Sequence, residues 1–159
     1  KNNASSPVVN MINLNVLTDY LQQPQFLMRS GKPRHVILSE QGFTSQSHSR
    51  GEVEELQAAA IAYAYYLADS NPLIDAFIMS RQVDAPSEVA ASCSFGLWSC
   101  DMSKPNDIVP TMRKQSWTVY KNIDDRKRTL ETTEKYKKYI GIEKWSDVIP
   151  DFKWKSQEK

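Results

Sequence analysis

The apolar positions of this chain change period along its length. From Met11 to Gln22, Ile12, Val16 and Tyr20 recur every fourth residue, with Leu14, Leu17 and Leu21 beside them. That spacing predicts an amphipathic helix over 11–22, ended by Pro24 and Gly31. Val36-Ile37-Leu38 is a short apolar run with no polar alternation. It predicts a strand covered on both faces, as in a parallel sheet. Residues 44–51 are polar and read as a loop, within which Ser49-Arg50-Gly51-Glu52 fits the S-x-x-E capping box. The helix expected to start there carries Val53, Leu56, Ala60, Tyr63, Ala64 and Leu67 at helical spacing. Ala58, Ala59, Ala60 and Ala62 give it a small-residue surface on which a neighbour can lie close. Asn71-Pro72 stops it, and Ile74–Met79 reads as a second strand ending at Ser80 and Arg81.

Residues 36–79 therefore read as strand, helix, strand: one βαβ unit with a right-handed crossover. A long connection follows, from Gln82 to about Thr111, holding Pro86, Cys93, Gly96, Trp98 and Pro105. Connections of that length inside a compact domain are usually either functional or stray. Met112–Asn122 is predicted helical, with Trp117, Tyr120 and Ile123 to one side. A charged helix is expected around Glu131–Tyr139, before Trp145, Val148, Ile149, Phe152 and Trp154. No internal repeat or low-complexity tract interrupts this order. Two parallel strands cannot cover their own edges. The pattern predicts a chain that belongs to a larger β/α sheet or pairs with another chain.

Charge changes the picture little. The 159 residues carry a net charge of +1. Residues 1–112 hold 7 basic and 11 acidic side chains, and residues 113–159 hold 13 and 8. The basic end reads as a solvated helical surface, because no nucleic-acid motif or aromatic–basic stripe accompanies it. Neither nucleic acid nor a membrane span is expected, since no apolar run is long enough to cross a bilayer. The polar start, Lys1 to Ser6, has no signal-peptide pattern. Cys93 and Cys100 read either as two small buried thiols or as a disulfide closing one loop in an oxidising compartment. With only His35 and His48 elsewhere, they match no zinc spacing, so no metal or other cofactor is expected.

The candidate chemistry lies where the strands end. In β/α folds the working site is found beyond the carboxyl ends of the strands. Glu40 and Gln41 stand there after the first strand, and Arg81 and Asp84 after the second. A carboxylate so placed can serve as acid, base, nucleophile or metal ligand. Arg81 is expected to pair with Glu40 and keep it ionised, as a nucleophile or base requires. Phe43, Phe95 and Trp98 offer flat apolar faces that suit the C–H faces of sugar rings. Glu40 bonding the amides of its own turn is the structural alternative. His48 reads as a surface residue, and Tyr63, Tyr65 and Tyr66 as helix packing.

Three segments, "PRHVILSEQGFTS", "LQAAAIAYAYYLADSNPLIDAFIMSRQVDAPSE" and "FGLW", resemble a bacterial family of TIM-barrel glycoside hydrolases, over roughly residues 10–125. The resemblance implies an α/β fold in which residues 1–125 form the C-terminal portion of a (β/α)8 TIM barrel. They would supply its last two strands and their helices, incomplete without the upstream part of the barrel or a companion chain. Residues 126–159 would be a helical extension packing on it. Glu40 matches the nucleophile position of retaining enzymes; Gln41, Arg81, Asp84 and Trp98 fall where sugar-contacting side chains gather. The implied substrate is a carbohydrate, O-glycosidically linked, and the implied compartment is periplasmic or extracellular. The acid/base carboxylate that retaining chemistry needs follows a strand not found in these residues. Two other readings stand beside it: a non-catalytic carbohydrate-binding barrel, and another sugar-processing β/α enzyme.

Overall fold

A computed structural model describes residues 7–149. Helix α1 spans Leu14–Leu21 and leads to strand β1, Val36–Gln41. A small hairpin, β2 (Gln46–Ser47) and β3 (Gly51–Glu52), precedes the long helix α2, Glu54–Ser70. Strand β4 (Ile74–Met79) then lies parallel to β1. This is the strand–helix–strand unit that the periodicity predicts, in a mixed α/β structure. Next come α3 (Pro86–Ala90), β5 (Trp98–Cys100) paired antiparallel with β6 (Pro110–Arg113), and α4 (Gln115–Lys121). Helices α5 (Arg126–Thr133) and α6 (Lys137–Ile140) follow.

The β1–β4 sheet has only these two strands among the described residues, so each keeps one open edge. Ile37 pairs with Ala76, and Leu38 with Phe77. Side chains alternate along a strand, so Leu38 and Phe77 share one face, and Ile37 and Ile78 the other. The first face is covered: Leu38 is buried with Leu14 and Ala68, and Phe77 packs against them. The second is open, leaving Ile37 60% and Ile78 47% exposed. The expectation that both faces are covered is therefore met on the helix side alone. Four residues of β1, from Leu38 to Gln41, face three of β4, from Phe77 to Met79. β1 thus bulges by one residue next to Glu40.

α2 is the centre of the larger core. Ala58, Ala59, Ala62 and Ile61 are buried against Val119 of α4 and against Tyr136, Trp145 and Ile149. The alanine surface read from the sequence is what admits these large side chains. Tyr66, fully buried, meets the Trp145 ring edge-on at 4.5 Å and exchanges a hydrogen bond of 3.0 Å with Thr133 Oγ1. The helices after Asn122 thus pack directly on α2. No helix among the described residues is long and apolar enough to cross a membrane. Phe152 and Trp154 lie outside the described residues.

Two boundaries depart from the sequence reading. The Ser49–Glu52 capping box does not form: α2 begins at Glu54 with Val53 as its uncapped N-cap, and Ser49 Oγ bonds Ser47 Oγ. Residues 46–52 make the β2–β3 hairpin instead, with Gly51 in the left-handed region at φ 70°. Met112 is not helical either. It lies in β6, and α4 starts only at Gln115, because Trp98 recruits residues 110–113 into a hairpin.

Burial pushes the Tyr66 hydroxyl from its ordinary 10.0 up to about 12. Below 10 the phenol is neutral in both folded and unfolded chains. Above 10 the unfolded chain loses that proton first, so stability falls as pH rises towards 12. The expected loss from this group is on the order of 2 kcal/mol. Chemical denaturation at pH 9, 10, 11 and 12 measures it, and Tyr66→Phe is expected to flatten the decline.

Candidate functional site

The carboxyl ends of β1 and β4 are drawn together. Ser80 N–H donates to the Gln41 carbonyl at 2.8 Å. A Cβ on Gly42 would collide with the Ser80 carbonyl oxygen and touch Phe95. This close approach is the reason a glycine follows the Glu40-Gln41 pair. Glu40 is exposed beside the bulge and makes no hydrogen bond or ion pair among the described residues. Bulges commonly re-aim a side chain next to a working site. Gln41 is half-buried, its backbone held to Ser80. The Ser80–Arg81 peptide is cis.

Arg81 does not pair with Glu40, contrary to expectation. Its Nη2 lies 2.8 Å from Glu88 Oε1, in a pair about one-third exposed on each side. Pro86 starts α3 just after the turn, and the first turn of that short helix carries Glu88 back to the arginine. The nearer carboxylate takes the cation. Glu40 and Arg81 stand at the ends of two paired strands and form no ion pair with one another.

Asp84 points inward and is buried. Its Oδ2 lies 2.7 Å from Lys114 Nζ, with 3% and 2% of the two side chains exposed. Ser94 Oγ donates to the same oxygen at 2.7 Å, and Gly96 N–H donates to Oδ1 at 2.6 Å. Lys114 Nζ also donates to Ser45 Oγ at 3.0 Å and Ser94 Oγ at 2.8 Å. Gln57, buried on α2, donates to the carbonyls of Phe43, Gly96 and Ser94 at 2.9, 3.1 and 3.3 Å, and accepts from Ser116 Oγ at 2.8 Å. This network ties the loop after β1, the connection after β4 and the start of α4 into one block. Asp84 is thereby a structural clamp and not a group on the surface beside Glu40. Ser45, Gln57, Ser94 and Lys114 escape the sequence reading. Lys114 lies between β6 and α4 amid basic residues and looks there like any surface lysine.

Trp98 is half-buried, packed on the core cluster, and its ring faces Arg113 with Cζ 4.9 Å from the centroid. It is held at the strand ends by the Gln82 carbonyl, which accepts from Trp98 N–H at 3.0 Å. Phe95 lies against Gly42, and Phe43 packs on the α2 core. Cys93 and Cys100 are free thiols. Cys100 Sγ turns to Met102 Sδ at 3.7 Å and Cys93 Sγ to the Ala91 carbonyl, so the disulfide alternative falls.

Among family models, one for a family of unknown function, DUF5722, matches residues 1–148. The chain belongs to the DUF5722 family. Neither a search of the curated proteins nor one of the solved structures returns a match. In this DUF5722 chain, then, chemistry has to be argued from the strand ends themselves. They present one unpaired carboxylate, one amide and one paired guanidinium on a backbone fixed from behind by buried ions.

Removing one partner of a buried ion pair leaves the other uncompensated, at about 3–5 kcal/mol. Lys114→Met is expected to lose that much stability in urea titration. Asp84→Asn combined with Lys114→Met is expected to lose clearly less than the two single losses added. Additive losses would show that the pair does not act as a unit.

Proposed function

We propose that this chain is the C-terminal part of a (β/α)8-barrel glycoside hydrolase, with Glu40 as the carboxylate that attacks the anomeric carbon. One observation carries the reading. Glu40 stands exposed and unpaired at a bulge on the carboxyl end of a parallel strand, one strand away from Arg81. Parallel strands joined by a helix put their chemistry at that end. A rigid strand holds a nucleophile more exactly than a free loop does, and small errors of position cost large factors in rate. Gln41 and Arg81 would bind sugar hydroxyls, and Trp98 would wall the cleft. The open isoleucine face of β1 and β4 would form part of the barrel interior. Their open edges would take the strands that complete the sheet, from the rest of the polypeptide or a companion chain. One of those strands would bring the acid/base carboxylate.

A second reading has an observation of its own. Arg81 is held by Glu88, so it does not hold Glu40 in place. A carbohydrate-binding barrel without hydrolysis needs no such hold.

Glu40→Gln keeps size and removes charge. In the complete protein, assayed on a panel of aryl glycosides, it is expected to lower kcat by at least about a thousandfold, the scale of losing an attacking group. Wild-type turnover in that variant would discard the nucleophile. An inactive parent that still binds oligosaccharide would favour the second reading.

A further inference from the structure

Helix α1 carries more apolar surface than this chain covers. Leu14 packs on the sheet, in the cluster with Leu38 of β1 and Ala68 of α2. Thr18 turns to the end of α2, where its Oγ1 accepts from Asn71 Nδ2 at 2.9 Å. On the side opposite Thr18 lie Val16 and Tyr20, in line with Ile12 of the preceding turn at the four-residue spacing of one helix face. Ile12 is 44% and Tyr20 50% exposed, and Val9, just ahead of them, 47%. A groove of about 580 Å³ runs along this flank, lined by Val9, Val16, Leu17 and Tyr20, with Asn15 and Asp19 beside them. Asp19 is exposed and makes no ion pair among the described residues. A helix with apolar stripes on opposite sides is buried between two neighbours.

The topology says where the second neighbour lies. α1 and α2 pack on the same face of the β1–β4 sheet. A parallel strand–helix–strand connection is right-handed. The step from β1 through α2 runs towards β4, so any step whose helix lies on this face runs the same way. α1 leads into β1. The strand that feeds α1 therefore belongs on the other side of β1, against its open edge. The Val16–Tyr20 flank, which looks away from α2, faces the place of the next helix in that layer.

We infer that the free edge of β1 and this flank of α1 receive one helix–strand unit from the upstream part of the same polypeptide. Its strand pairs parallel to β1. Its helix lies in the groove along Val16 and Tyr20, apolar side inward, with a basic side chain opposite Asp19. The inference rests on the part of the proposed reading that completes the sheet, and not on the chemistry of Glu40. It goes beyond that reading by fixing which edge the neighbour takes and what covers α1. A twofold-related second copy fits less well: to lay its helices beside α1 it would bring its own β1 antiparallel.

The test is urea titration and amide hydrogen exchange of the complete protein. Val16→Lys and Ile12→Lys are each expected to lower the folding equilibrium constant at least about tenfold, as a charge set into a packed apolar contact does. Ile108→Lys, at a position 55% exposed, is the control and is expected to change it less than about threefold. The amides of residues 36–39 turned away from β4 are expected to exchange slowly, because the new strand bonds them. Exchange is measured on the unsubstituted protein, so it decides even where a lysine variant does not fold. Lysine variants no worse than the control overturn the inference; if the amides are slow all the same, the completed sheet survives it. Fast exchange at those amides leaves the edge free, and the barrel falls with the inference. Stability that rises with protein concentration, with a dimer in sedimentation, gives the flank to a second copy and also overturns it. Turnover of Glu40→Gln, measured apart, tests the enzyme reading whichever of these is found.

Discussion

The Lys114 ammonium lies 2.7 Å from the Asp84 carboxylate with water shut out from both. A charge moved out of water loses several kcal/mol of hydration, and only a close counter-ion with further hydrogen bonds restores it. Ser45, Ser94 and the Gly96 amide supply those bonds. Each comes from a loop with no regular partner of its own. The pair therefore does more than compensate two charges: it obliges three connections to meet at one point. Without it, little regular structure would hold the segment between β4 and α4, which contains a five-residue helix and a hairpin of strands three and four residues long.

That obligation reaches the strand ends from behind. The loop after β1 is fixed at Phe43 and Ser45, directly after Gly42 and Glu40. The connection after β4 is fixed at Asp84, three residues past Arg81. The side chains offered to solvent are thus carried on backbone pinned on two sides, by the parallel ladder and by the buried ions. Pre-organisation of this kind is what a binding or catalytic surface requires. The protein achieves it with polar atoms where many folds use apolar packing, and such a network tolerates little partial loss.

The large features were legible in the sequence because each follows from periodicity. α2 and the two parallel strands follow from the four-residue and unbroken apolar spacings, and the open edges from there being only two strands. Glu40 was legible because a carboxylate ending an apolar run is unusual. What could not be read was pairing over distance. Arg81 has two carboxylates within reach of plausible turns, and only the start of α3 at Pro86 decides for Glu88. Asp84 and Lys114 are thirty residues apart, and nothing in either neighbourhood marks it as buried. Ser49–Glu52 matched a helix-start signature by composition, but Gly51 took the left-handed conformation of a hairpin. Local rules name candidates; the long-range hydrogen bonds choose among them.

Gln57 has a consequence of a different kind. Its amide nitrogen faces three backbone carbonyls, and its oxygen receives the Ser116 hydroxyl. A glutamate there would have nearly the same shape, and scoring by chemical similarity would treat the exchange as mild. Yet a carboxylate would set negative oxygen against three carbonyl oxygens in a site closed to water, where no proton donor is at hand. A single codon change, altering one atom, would thus separate chains that close these loops from chains that cannot. In comparing relatives of this protein, glutamine or glutamate at this one position would say more about whether the strand ends are in order than the overall percentage of matching residues.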